Sequence, residues 1–488
     1  MIVSVLKIGS EWMNGRPYRA GRALGVVMVA VSALLITACG REDAPSTAAK
    51  AEPGKVSAEP QRPGDPRAGY EALVNRTVLT CGVPYSAYRK SLGDPDPGPA
   101  PPGRRGRNAE LPYGVSAFEA GSGVALVASN CLSCHAAPLN GEIVVGLGNE
   151  LLDFTRDPLV AAEGAGAYVR DATERAEWRK WADRIAAVAP YAMTDTLGVN
   201  PASNLTLALL AHRDPETLGW SESPLLEPPP ESPLPVSVPP LWNLGKKHAL
   251  FYNASGRGDH VGHMLLASTL CTDSLEEAET IEAWLLDVRA FLSSLEPPEY
   301  PFDIDEALVE EGERLFAERC KRCHGAYGER PSYPNQLVAL DKIQTDPALA
   351  EAAYRDQDRF IDWLDRSFLG TRSRVTPALG YIAPPLDGVW ATAPYLHNGS
   401  VPTIAALLDS GSRPTYWRFG SDPPDFDPVG LGWDYREVPY GKDGAMSWDE
   451  RERIYDTSRP GYGNQGHGFG DKFTAGERAA LVEYLKTL

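Results

Sequence analysis

Two pentapeptides carry the clearest chemistry in this chain: Cys131-Leu132-Ser133-Cys134-His135 and Cys320-Lys321-Arg322-Cys323-His324. In each, two thiols stand one helical turn apart, a spacing that suits thioether bonds to the two vinyl groups of one porphyrin. The adjacent His then lies under the iron and supplies a nitrogen ligand. The pattern predicts two covalently bound haem c groups, attached at Cys131, Cys134, Cys320 and Cys323, with iron held by His135 and His324. A structural zinc site needs four ligands, usually from two Cys pairs close together. A thioredoxin-like pair does not call for the following His.

The elements that must position these motifs are read from periodicity. Ile304 to Arg319 places Leu308, Gly312, Leu315 and Phe316 on one helical face directly before Cys320. Thr474-Ala475-Gly476-Glu477 is a capping box, and Leu481, Val482, Tyr484 and Leu485 follow on a final helix. A first and a last helix bracketing a haem motif resemble the cytochrome c fold. In the first half, Val124, Leu126 and Val127 precede Cys131, and a helical stripe runs from Ile281 to Leu295. The expected fold is mainly α: two tandem cytochrome c-like haem domains with long ordered loops, over residues 108–296 and 302–488. Glu296 to Pro301 reads as their linker. The proline-rich stretch Pro228 to Pro240 suits neither a regular helix nor a central strand.

The N-terminus reads as an export signal. Arg16, Arg19 and Arg22 precede an apolar run from Ala23 to Ile36, which is short for a membrane span. Small residues before Cys39 resemble a lipobox, so residues 1–38 are expected to be a lipoprotein signal peptide and Cys39 a lipidation site. The alternatives are a soluble exported protein or an uncleaved anchor. Residues 39–66, rich in Ala, Pro, Glu and Ser, read as a flexible tether, and 67–107 as an N-terminal extension. The expected location is periplasmic, lipid-anchored to the bacterial envelope. Of seven Cys, one lipidated and four on haem leave Cys81 and Cys271, which form a disulfide or stay as two thiols. A net charge of −18 argues against nucleic acid as a partner.

The segment Pro384-Pro385-Leu386-Asp387-Gly388-Val389-Trp390-Ala391-Thr392-Ala393-Pro394-Tyr395-Leu396-His397-Asn398-Gly399-Ser400-Val401-Pro402-Thr403 resembles a signature of the bacterial di-haem cytochrome c peroxidase superfamily. That superfamily includes the di-haem enzyme of methylamine-dehydrogenase maturation and the haem rubber oxygenases. Asn464 to Gly470 resembles the rubber oxygenase branch, where the His at this place ligates the second haem; the resemblance assigns that role to His467. Typical peroxidases carry a Met ligand shortly after the signature. Here no Met follows His397 until Met446, which favours a bis-His second haem. His397 itself is expected as a buried hydrogen-bonding group.

The sixth position of the first haem stays open between His248, His260, His263, Met264 and a wall of Phe251 and Tyr252. Trp242 is either an aromatic between the haems or a core residue. No residue is assigned as catalytic. The expected function is an exported di-haem c-type cytochrome with one ligand-accessible haem and one electron-relay haem, peroxidase- or oxygenase-like. The alternatives are a non-enzymatic electron-transfer cytochrome and a haem-based sensor. Expected partners are a small-molecule oxidant or substrate, a small redox donor or acceptor protein, and a membrane through the lipid anchor.

Overall fold

The computed structural model describes residues 52–92 and 96–488. The signal segment and Cys39 lie outside the described residues. Within them, 40% helix and 13% strand make the fold mixed α/β. The expectation of a mainly α chain with tandem cytochrome domains is therefore corrected.

Two features account for the difference. Val124, Leu126 and Val127 do not belong to a helix. They sit at and in the strand Ala125–Ser129, which pairs with Val115–Glu119 and with Val83–Pro84 and runs straight into Cys131. A short apolar run fits either element. Here Gly123, at φ +78°, closes a tight turn on Ala120 and so decides for a hairpin. The second feature is a shared core. Phe360, Ile361, Trp363 and Leu364, from the second half, pack with Leu205, Val261 and Leu285 of the first. Trp363 Nε1 donates to Arg213 O at 2.8 Å, and Gly256–Gly258 pairs with Ser373–Val375 across the halves.

The N-terminal extension completes this core. Its helix Pro66–Asn75, capped by Asp65, lies along the helix Leu275–Ser293. A Cβ on Gly69 would stand 2.0 Å from Asp287 O, so the backbones touch there. Cys81 and Cys271 are bonded, with Cα atoms 5.3 Å apart. The expected tether is not free over its last part: Gly54–Lys55 pairs with Gln336–Leu337, and Val56 is buried.

The C-terminal helices form as the periodicity implies. Glu306–Arg319 crosses Ala475–Lys486, whose capping box is made by Thr474 and Glu477. A Cβ on Gly312 would lie 2.0 Å from Ala480 O, and Phe316 meets Tyr484 with ring centroids 5.3 Å apart. Only Gly lets these helices approach so closely.

Candidate functional site

Each Cys-x-x-Cys-His motif forms one helical turn, Leu132–His135 and Lys321–His324. The four motif Cys are unpaired, unlike Cys81 and Cys271. Burial pushes the thiols of Cys131 and Cys320 up to about 11. Such thiols are poor sources of the thiolate that zinc binding or disulfide exchange uses. Among the described residues no cluster of three or more His, Cys, Asp or Glu is arranged to hold a metal ion. A zinc site therefore lacks its further ligands.

Below the second motif, His324 Nδ1 donates to Pro384 O at 2.9 Å, which fixes the ring and leaves Nε2 for a metal. His467 faces it, with ring centroids 6.2 Å apart. Two imidazoles bound on opposite sides of one metal, each nitrogen about 2 Å away, have ring centres roughly 6 Å apart. The pair thus fits a six-coordinate iron between them. Burial first, and then the charge of His324, lower the His467 imidazole to about 3, so it is neutral and able to ligate.

The His467 loop is held by contacts that the sequence did not disclose. Arg413 Nη1 donates to Asn464 O at 2.6 Å and Gly466 O at 2.7 Å. Gly463 N donates to Asp346 Oδ2, and His467 N to Ile343 O. His467 itself lies at φ +47°, a conformation disfavoured for a non-Gly residue. These bonds hold it there.

The first motif differs. The Pro239 carbonyl faces the His135 ring, but His135 Nδ1 closes no hydrogen bond. Burial lowers this imidazole to about 4, with a further push from the charge of Lys247. Among the described residues no aromatic or imidazole ring is paired with His135. Of the residues considered for its far side, His248 and His263 each make one backbone contact through a single ring nitrogen. His248 Nδ1 meets Val56 O at 2.8 Å, and His263 Nε2 meets Arg257 O at 3.0 Å. Phe251 stands edge-on to His263 at 5.6 Å, and Met264 packs on the shared core. His260 is buried, with Nε2 unpartnered.

The two sites share a repeated frame. Pro239-Pro240-Leu241 corresponds to Pro384-Pro385-Leu386, and Asn253-Ala254-Ser255 to Asn398-Gly399-Ser400. The short helical turn Leu244–Lys246 matches Val389–Ala391. The bridge Leu250 to Gly256 matches Tyr395 to Val401, and the positive φ of Phe251 and Ala254 matches that of Leu396 and Gly399. The copies meet at equivalent positions: Trp242 Nε1 donates to Asp387 O at 2.8 Å, 145 residues away. Trp242 is fully buried at this junction. His397 is buried, as expected, and stacks on Tyr381 with ring centroids 4.0 Å apart; its Nε2 has no partner among the described residues. Its own carbonyl accepts from Ser237 N.

Residues 380–418, which span the second copy, match a family model described as RoxA-like, cytochrome c-like. This segment is cytochrome c-like. The match supports the rubber oxygenase side of the resemblance and implies haem c binding. Two curated relatives from Sinorhizobium fredii are described as uncharacterized proteins y4iJ and y4iM. The first is 30% identical over 340 residues, covering 52% of this chain and 55% of the relative. The second is 34% identical over 200 residues, covering 37% and 45%. The chain thus spans about half the length of the curated relatives it matches.

Proposed function

We propose that this protein is a di-haem c-type oxidoreductase with two unequal iron sites. The observation that carries the reading is the contrast between His324, which has His467 facing it, and His135, which has no facing ring among the described residues. In this reading Cys320 and Cys323 would bind one haem c and His324 and His467 would hold its iron, which would supply electron relay. Cys131, Cys134 and His135 would hold a second haem c, which would supply binding of a small oxidant, dioxygen or peroxide. Haem iron with an open sixth position supplies oxidant binding; the chain supplies position and charge. The repeated frame with its own motif at each copy supports two sites rather than one. Trp242, buried where the copies meet, is placed to couple them.

The same reading includes export and anchoring through Cys39 to the periplasmic face of a membrane, and a small redox protein as electron donor or acceptor. The test is the reduced protein under CO. One CO per chain, bound at the site of His135 and lost on removing that site, supports the enzyme. Two irons that ignore CO favour an electron-transfer cytochrome.

A further inference from the structure

The second Cys-x-x-Cys-His turn and the loop that meets it are joined by a closed circuit of hydrogen bonds. His324 Nδ1 donates to Pro384 O at 2.9 Å. Pro384 and Pro385 carry no amide hydrogen, so the loop is fastened on either side of them. Ala383 N donates to Gln336 O at 2.9 Å. Leu386 N donates to Tyr327 Oη at 2.7 Å, and the same hydroxyl donates to His324 O at 2.9 Å. One phenol thus accepts from the loop and donates to the motif. Its ring stands edge-on to Phe316 and Tyr333, with centroids 5.8 and 5.9 Å apart.

The first copy closes the same link by another device. His135 O accepts from Gly146 N at 2.8 Å, and Gly146 O accepts from Leu241 N at 2.8 Å. Leu241 is the match of Leu386. Gly146 follows the strand Glu142–Val145 and lies at φ +93°, which suits glycine. A backbone peptide therefore does in one copy what the Tyr327 hydroxyl does in the other. Two unrelated groups join the same pair of backbone positions, which marks the link as a requirement of the frame. In the second copy that link rests on one side-chain oxygen. There the ring-to-carbonyl bond is closed, whereas His135 Nδ1 closes none.

Resting on the di-haem reading, we propose that Tyr327 is a positioning residue of the second site. Its hydroxyl holds the Pro384 carbonyl on Nδ1 of His324 and so sets how strongly that imidazole donates through Nε2. A hydrogen bond at the far ring nitrogen makes an imidazole a more basic ligand and favours the more oxidised metal. Without the hydroxyl, Leu386 N and His324 O lose their partner and the loop slackens. His324 keeps its place in the turn Lys321–His324, but its donation weakens.

The test uses the full-length protein carrying its haem, with Tyr327→Phe and, as a control for packing alone, Phe316→Leu. Potentials are read by redox titration of the visible spectrum, haem per chain after alkaline pyridine treatment, and the low-spin iron by ferric EPR. Tyr327→Phe should raise the potential of one haem and move the g values of the low-spin signal, with the other haem unchanged. Phe316→Leu should lose stability and leave both potentials in place. Loss of the second haem in Tyr327→Phe alone supports the same contact. An unmoved low-spin haem in Tyr327→Phe, an equal shift in both haems, or the same change in both variants overturns the assignment but not the di-haem reading. A wild type with haem only at the first motif, or with no low-spin signal, overturns both.

Discussion

Tyr252 and His397 occupy matching positions of two repeated segments and meet edge to face, with ring centroids 6.4 Å apart and planes at 63°. Trp242 and Asp387, another matched pair, are joined by a hydrogen bond. The copies thus pack on each other at equivalent residues, as halves of a two-fold pair do. Residues of both halves also share one hydrophobic cluster, so the two Cys-x-x-Cys-His motifs sit on one packed body.

The facing imidazoles give the first prediction. His467→Ala should convert one low-spin haem to high-spin and shift that site's potential, while ligand binding at the other haem persists. Visible and EPR spectra of the ferric variant check this. An unchanged low-spin signal would rule out His467 as the axial ligand. Arg413→Ala should loosen the same loop and raise the high-spin fraction to a lesser degree.

The helix crossing gives the second. Gly312→Ala forces a methyl group against Ala480 O and should destabilise the fold by about 1–3 kcal/mol. Thermal unfolding followed at the haem absorbance reads it. A variant as stable as wild type would mean that the two helices can separate freely.

The third concerns Cys81 and Cys271. A cross-link closing so long a loop contributes about 3–5 kcal/mol. The double replacement by Ser should lower stability to denaturant by that order and free the helix Pro66–Asn75 for proteolysis. Thiol counting on the unreduced wild type should find none free.

Much of the local chemistry was legible in the sequence. The two motifs are contiguous, and the helices flanking the second announce themselves through period and cap. His467 was singled out by the family resemblance, and the fold sets its ring centroid 6.2 Å from that of His324. What depends on distant partners was not legible. Val124, Leu126 and Val127 fit a helix or a strand until the hairpin is seen. The helix Pro66–Asn75 carries no sign that it packs along Leu275–Ser293. The repeated frame keeps little beyond Pro-Pro-Leu, an Asn and a Ser, so its second copy hides behind different side chains. Arg413 looks like an ordinary surface cation in the sequence, and only the fold sets it against the His467 loop.

Glu150 gives a pH-dependent prediction. Its Oε1 accepts from Ser237 Oγ at 2.7 Å and Val238 N at 2.8 Å, yet burial dominates and raises the carboxyl to about 8. The folded state therefore holds a proton that the unfolded chain releases near pH 4.5. The contribution is fully present below that pH and is lost as pH rises toward 8. Glu150→Gln should flatten this loss, so the variant gains on wild type across the window by up to a few kcal/mol. Denaturant unfolding at pH 5 and pH 8 checks the sign; parallel pH profiles for the two proteins would contradict it.

The most direct measurement is the ferric EPR spectrum of the intact protein, paired with CO titration of its reduced form. One high-spin and one low-spin signal are expected, with a single CO bound at the haem of Cys131 and Cys134. Two low-spin signals and no CO binding would contradict the unequal pair, and with it the proposal that His135 holds an open, reactive site.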